Sequence, residues 1–335
     1  MSWSAIVGQT LAVRLLRQAL EAGRVAHAYL FVGPDGVGKR TVALELAKAL
    51  NCQAPLPDGG ACDTCPSCRK FASVPPTHPD VQLVAPDGRF IKTDQMKELQ
   101  SDMYARPSEG KVRVAIIDGA DRLNAEAGNR VLKLLEEPPA HAELILLTAN
   151  LSGVLPTLIS RCQVVNFPPL SLDQVTTALE KQLGLDSAQA HLFASLSGGS
   201  IGRGAALAQD PEVAQRREQT YALLKQLPTL DDLALIAVAE TLEKEKDHLD
   251  EWLELCTAWL RDVLLVAQTG SHQLVINADR LRDVESLARQ LDPASLLRML
   301  GHITDARGHL QKNANARLVL DVLLLCLGEA ARQAR

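Results

Sequence analysis

The sequence predicts an α/β domain with a parallel sheet, followed by a C-terminal half that is all helix. Three observations carry this. Short apolar and β-branched runs alternate with helical stretches as far as Pro168-Pro169. Several of those runs are too continuously apolar to be half-exposed strands, so both faces of the sheet are expected to be covered. Beyond Phe167 the strand signal fades, and apolar residues recur at spacings of three and four instead.

Taken in order, Tyr29–Val32, Val81–Val84, Val112–Ile117 and Glu143–Thr148 are predicted strands, and Val164–Phe167 is a further apolar strand. Thr41–Leu50 and Ala125–Glu137 are predicted helices, the second stopped by Pro138-Pro139 because proline cannot continue the hydrogen-bond ladder. Leu155-Pro156 starts a short helical segment that Ser160-Arg161-Cys162 ends. In the second half, Trp252, Cys256, Trp259 and Val263 share one helix face, and Leu318–Ala331 is also helical in period. Gly198–Gly204 and Leu227-Pro228-Thr229 are the expected breaks.

Composition sets the class. A chain of 335 residues suits two or three domains. Its 47% apolar and 22% charged residues are ordinary for a globular protein and exclude long-range disorder. Aromatics make up only 3%, so Leu, Val, Ile and Ala must fill the core. A net charge of −5 argues against a broad basic face for nucleic acid, although a local basic groove remains possible. The first residues lack the basic flank and apolar stretch of an export signal. Leu318–Leu327 is broken by Asp321 and falls far short of the ~20 residues of a membrane span. The expected location is the cytoplasm, with no membrane partner. Seven cysteines in a reducing compartment are then expected to be thiols or metal ligands rather than disulfides.

Gly33-Pro-Asp-Gly-Val-Gly-Lys39 follows a predicted strand and opens a predicted helix. In that context the backbone N–H groups and the helix N-terminus can cradle phosphates around Gly33, Gly36 and Gly38, and Lys39 can reach them. The next position normally carries the Ser or Thr hydroxyl that ligates Mg²⁺. Here it is Arg40, and Thr41 lies about 100° further round the helix. Val114-Ala-Ile-Ile-Asp118 is an apolar strand ending in a carboxylate that can hold Mg²⁺ through water. The expected neighbouring glutamate is absent, because Gly119 stands there. Asp121 is read as a candidate cap of the following helix. With hydroxyl and carboxylate both missing, hydrolysis by this chain is not expected.

Cys52, Cys62, Cys65 and Cys68 form C-x9-C-x2-C-x2-C in a stretch rich in Pro, Gly and Asp. Paired C-x2-C steps bring thiolates together on tight turns, and four of them leave no open coordination position. The expectation is one structural zinc. Cys162, Cys256 and Cys326 are isolated and read as packing residues.

These pieces in this order resemble the clamp-loader branch of the AAA+ family over most of residues 1–207. The matching residues are Ile6-Val-Gly-Gln9, His27-Ala-Tyr-Leu-Phe31, the phosphate loop, the four-cysteine insert and His78-Pro-Asp80. They continue with Ile117-Asp-Gly-Ala-Asp-Arg-Leu123, Asn129-Arg-Val-Leu-Lys-Leu-Leu-Glu-Glu-Pro-Pro139 and Leu155-Pro-Thr-Leu-Ile-Ser-Arg-Cys162. The resemblance implies an AAA+ α/β domain over 1–167 with the zinc insert at about 51–70, a small helical lid over 168–207 and a helical collar over 208–335. The damaged site chemistry sets this chain beside the branch's non-hydrolysing member, a stator rather than the motor.

The implied partners are the gamma/tau motor subunit and the clamp-opening delta subunit in a hetero-pentameric ring, and through them the sliding clamp and primed DNA. The branch presents the Arg of a Ser-Arg-Cys motif to the neighbouring motor's ATP site, which falls here on Arg161 between Ser160 and Cys162. Read without the resemblance, Arg161 is a surface ion-pair partner. Asn150 falls at the nucleotide-sensing position, where an ordinary turn residue would also fit. Ile6, Val7 and Gly8 match the segment around adenine. The lid arginine of active members falls on Gly202 or Arg203. Both an occupied and a vestigial phosphate loop remain open, so ATP stands as an unassigned ligand.

Rival readings are an active clamp-loader ATPase and a nucleoside monophosphate kinase with a zinc lid. Arg40 and Gly119 speak against the first. The early position of the cysteines and the long helical half speak against the second, and the acidic balance disfavours a zinc nucleic-acid binder.

Overall fold

Five strands, β1 (Ala28–Val32), β2 (Val81–Val84), β3 (Arg113–Asp118), β4 (Ala142–Thr148) and β5 (Gln163–Asn166), form one sheet in the order β2-β3-β4-β1-β5. Every pairing is parallel, with Leu30 opposite Leu146 and Ile116 opposite Ile145. The computed structural model describes residues 3–73, 75–88, 90–245, 248–272, 274–312 and 314–333. The outermost residues of the expected first and last domains, Met1 and Arg335, therefore lie outside the described residues.

Parallel neighbours need crossovers, and helices supply them. The α/β part contains α1 (Thr10–Glu21), α2 (Lys39–Leu50), α3 (Pro66–Arg69), α4 (Thr93–Tyr104), α5 (Ala125–Glu136), α6 (Pro156–Ile159) and α7 (Leu172–Leu183). Alternate strand residues face opposite layers. Tyr29, Phe31, Ile116, Ile145 and Leu147 pack with Leu16, Val42 and Leu46 of α1 and α2. Leu30, Ile117, Leu144 and Leu146 pack with Leu99 and Met103 of α4 and with Val131 and Leu134 of α5. Both faces of the inner strands are covered, which is why β1, β3 and β4 read as largely unbroken apolar runs, whereas Gln163, Val164 and Asn166 of edge strand β5 stay exposed. This is the α/β fold with a covered parallel sheet that the sequence predicts.

The chain separates into two units, Met1–Gly184 with Ser197–Gly204, and Leu185–Leu196 with Ala205–Arg335. The second unit is helical: α8 (Ser187–Leu196), most of α9 (Ile201–Gln209), α10 (Val213–Gln226), α11 (Asp232–Lys244), α12 (Leu249–Thr269), α13 (Leu281–Ala288), α14 (Pro293–Gln311) and α15 (Ala316–Gln333). Its core gathers Trp252, Cys256, Trp259 and Val263 of α12 against Leu296, Met299 and Ile303 of α14 and Leu320 and Leu324 of α15. Buried Asp262 accepts backbone N–H bonds from Ile276 at 3.0 Å and Asn277 at 2.8 Å, which pins the segment before α13.

The structure corrects two details of the sequence reading. Gly198–Gly204 is not a continuous break, because α9 starts at Ile201 with Ser200 Oγ accepting from the Arg203 N–H at 3.1 Å. Asp121 does not cap α5; Asn124 does, its side chain accepting from the Ala127 N–H at 2.8 Å. Among the described residues, no helix is long and apolar enough to cross a membrane.

Candidate nucleotide site and metal centre

β1 ends at Val32, and the loop 33–38 turns the chain into α2 at the carboxyl ends of the strands, where open α/β sheets hold their ligands. Gly36 and Gly38 have φ of 74° and 105°, left-handed values that favour glycine and occur in anion-binding turns. Lys39, the first residue of α2, is only 5% exposed. Its Nζ donates to Gly33 O and to Pro34 O at 2.8 Å and lies 3.4 Å from the Asp35 carboxylate.

The next side chain changes the chemistry. Arg40 Nε donates to Asp118 Oδ2 at 2.7 Å, and the same guanidinium forms an ion pair with that carboxylate. A fixed side-chain cation thus sits on the carboxylate that the sequence reading gave to a metal. Beside it, Gly119 has φ +96°, and a Cβ there would meet Pro86 Cγ at 3.2 Å. Asp121 Oδ1 accepts from Thr148 Oγ1 at 2.7 Å. A cavity of about 880 Å³ opens here, lined by Ile6 and Val7 as well as by Gly36–Thr41, Asp118 and Thr148. Asn150 is taken up locally: its Oδ1 accepts from the Ser152 N–H at 3.1 Å and caps the turn at Leu151–Gly153.

The start of α9 rests on the phosphate loop within the same unit. The Gly202 N–H donates to Gly36 O at 3.0 Å, and a Cβ on Gly202 would meet Gly36 Cα at 2.9 Å. Gly202 and the backbone N of Arg203 both lie against the loop, and a side chain at 202 would push the two backbones apart.

The four cysteines converge. Their Sγ atoms all lie within 4.8 Å of one another, and Cys62 Sγ is 3.9 Å from Cys68 Sγ. Metal–sulfur bonds of about 2.3 Å to a tetrahedral ion put neighbouring sulfurs ~3.8 Å apart. Sulfur-directed N–H groups surround the cluster: Cys62 N–H points to Cys52 Sγ at 3.3 Å, Cys65 N–H to Cys62 Sγ at 3.4 Å and Cys68 N–H to Cys65 Sγ at 3.4 Å. Such donors stabilise thiolates, and the hydroxyl and N–H of Thr64 with the N–H of Cys65 pull the Cys62 thiol down to about 5. Four soft donors with no carboxylate among them fit a thiophilic ion in a closed site.

Around the cluster lies a frame that motif reading missed. Lys48, buried in α2, pairs with Glu45 at 2.8 Å and with Asp63, which lies between Cys62 and Cys65. Ser67 Oγ donates to Asn51 O at 2.8 Å and lies 3.1 Å from His78 Nε2. Asp80 accepts N–H bonds from Ser108, Glu109 and Gly110 at 2.6, 2.9 and 2.7 Å. His78-Pro-Asp80 was visible in the sequence, but its partners lie up to 30 residues away and only the fold names them.

Arg161 stands just past α6. Its Nη1 donates to Thr157 O at 3.1 Å, its Nη2 pairs with Glu136 Oε1 at 2.9 Å, and its side chain keeps 38% exposure. Neighbouring Ser160 Oγ donates to Thr157 O at 3.2 Å. Burial pushes the Cys162 thiol up to about 11, as befits a packing residue.

Comparison with known proteins gives this geometry its context. Residues 8–171 match the family model described as DNA polymerase III, delta subunit, and residues 211–329 match DNA polymerase III, delta subunit, C terminal. The chain is 31% identical over 326 residues to DNA polymerase III subunit delta' of Bacillus subtilis, covering 96% of both chains. It is 31% identical over 317 residues to subunit delta' of Pseudomonas aeruginosa, covering 90% of this chain and 91% of that one. Against DNA polymerase III subunit tau of Escherichia coli it is 30% identical over 249 residues, which is 72% of this chain and 38% of tau. Family matches over both halves of the chain, and 31% identity to two delta' subunits over 90% and 96% of it, make this chain a member of the delta' family of bacterial DNA polymerase III.

Proposed function

We propose that this chain is the non-hydrolysing stator of a DNA polymerase III clamp loader, helping an ATP-driven ring place a sliding clamp on primed DNA. One observation carries the reading: Arg40 bonds Asp118 where a metal-ligating hydroxyl is missing, with Gly119 at the position of the absent glutamate. An α/β domain with an intact sheet and a disabled metal site is suited to support rather than turnover. Its partners are a gamma/tau motor and a delta subunit in a hetero-pentameric ring, and it works in the cytoplasm. Its parts are the α/β domain over 1–167, a lid over 168–207 and a collar over 208–335. Cys52, Cys62, Cys65 and Cys68 hold one structural zinc.

Arg161 acts in trans on the γ-phosphate at the motor's site. Its partly exposed guanidinium, steadied by Thr157 and Glu136, supports this. A planar fork matches phosphate oxygens, and a finger supplied in trans is worth roughly 10³–10⁵ in rate in GTPases. The test mixes the chain with motor and delta subunits and asks for a stoichiometric complex by size-exclusion chromatography. Arg161→Ala should assemble normally and lower the clamp- and DNA-stimulated ATPase at least ~10²-fold, with Arg161→Lys recovering only part of it. Wild-type ATPase in the Arg161→Ala complex, or failure to assemble with the partners, refutes the reading.

A further inference from the structure

The same Arg40–Asp118 pair has a consequence for what the cavity binds. In a working phosphate site a divalent cation bridges the carboxylate at the strand end and the nucleotide phosphates, and it neutralises part of their charge. Here the guanidinium of Arg40 is already on Asp118, at 2.7 Å. A metal seated there would have to displace Arg40 and then share the cavity with its positive charge. Lys39 supplies a second fixed cation; two of its contacts are neutral carbonyls of the loop itself, and Asp35, its acidic neighbour at 3.4 Å, has a side chain 77% exposed. Gly36 and Gly38 line the cavity and keep the left-handed backbone that anion-binding turns use. At about 880 Å³, with Ile6 and Val7 as an apolar wall, the space is in the range of small-molecule sites and accommodates a base as well as phosphates.

We propose that the cavity binds a nucleoside di- or triphosphate in its metal-free form, with Arg40 standing in for the divalent cation. This rests on reading residues 33–39 as a phosphate loop. The metal dependence is then the reverse of that of a motor site. Magnesium competes for the phosphates in solution and offers nothing at Asp118, so it does not tighten binding. Asp118 itself becomes an unfavourable negative charge near the phosphates, only partly masked by Arg40.

The test titrates the full chain with N-methylanthraniloyl-ADP, once in EDTA and once in excess magnesium. The expected result is saturable binding in EDTA that is as tight as, or tighter than, binding in magnesium. Asp118→Asn should tighten binding in EDTA severalfold, whereas in a metal-dependent site the same change weakens it. Arg40→Ser, checked for a cooperative thermal transition, should weaken binding in EDTA by about tenfold and make magnesium helpful. Lys39→Ala should abolish binding in both conditions.

Wild-type binding that magnesium tightens by about tenfold overturns the inference, as does absence of saturable binding by folded protein in EDTA. Binding indifferent to Lys39→Ala overturns it as well, because the ligand would then lie elsewhere. The stator reading fails on a different result. ATP turnover by the isolated chain would refute it whatever the binding, while absent binding refutes only the inference made here.

Discussion

Two carboxyl groups of the α/β unit are held in opposite states by their surroundings. Burial pushes Asp80 up, but three N–H donors from Ser108, Glu109 and Gly110, together with Arg113, outweigh it and hold the group below its usual range. Among the described residues, the Oε2 of Glu143, near the start of β4, is buried without a hydrogen bond, and burial pushes this carboxyl up to about 8. The unfolded chain titrates this group near ~4.3. Between those two values the folded state holds the proton and the unfolded state does not, so stability declines as pH rises from about 4.3 towards 8. Glu143→Gln removes the ionisation and keeps the shape. Its melting temperature should therefore exceed wild type at pH 9 and nearly match it at pH 5. An equal loss of melting temperature at both pH values would mean that the carboxyl has a partner and the argument is wrong.

At the scale of elements, α2 links the phosphate loop to the cysteine cluster. Gly38 caps its start, and its end runs through Asn51 into Cys52. Asn51 Oδ1 accepts from the Lys111 and Val112 N–H groups at 2.9 and 3.1 Å, tying that end to the approach of β3. Cys52 and Cys68 belong to the same apolar cluster as Phe31 and Ile116. If zinc fills the site, metal analysis should return about one ion per chain. Chelation, or Cys65→Ser, should lower the thermal stability of the α/β unit and speed amide exchange in the last turn of α2, while the sheet stays folded on its two apolar faces. Freely titrating thiols in native protein without metal would contradict this. The strands were legible because burial on both sides writes itself as unbroken apolar runs, and their ends shifted by only about a residue. Whereas α6, equally short, was announced by Leu155-Pro156, the four-residue α3 and the glycine-bearing start of α9 were not legible. Their stability comes from caps and close backbone approach rather than from periodicity. The phosphate loop and the cysteine spacing were local patterns and could be read directly. The Arg40–Asp118 pair spans 78 positions and becomes visible only once β1 and β3 are set on either side of β4.

For the whole molecule, the question is whether one repair would turn this chain into a motor. Hydrolysis needs a metal ligand after the loop lysine, a carboxylate that aligns water and a cation that meets the γ-phosphate as charge develops. This chain departs from the pattern at the first two places, and at the third, which the resemblance shares between Gly202 and Arg203, position 202 is a crowded glycine. Arg40 replaces the hydroxyl and occupies Asp118. Gly119 replaces the carboxylate on a backbone at φ +96°, where a side chain is strained by ~1–3 kcal/mol and its Cβ meets Pro86 Cγ at 3.2 Å. Gly202 lies against Gly36 so closely that a lid arginine at that position would force the backbones apart. The isolated chain should therefore release no phosphate from ATP above background. Arg40→Ser should not create activity, because the water-aligning carboxylate is still missing. Arg40→Ser with Gly119→Glu should also fail, because the glutamate enters on a strained backbone and no guanidinium comes from position 202. The measurement is phosphate release by purified chain with and without magnesium. Turnover by wild type that Lys39→Ala abolishes would show that Arg40 and Gly119 do not disable the site, and that the chain is a motor.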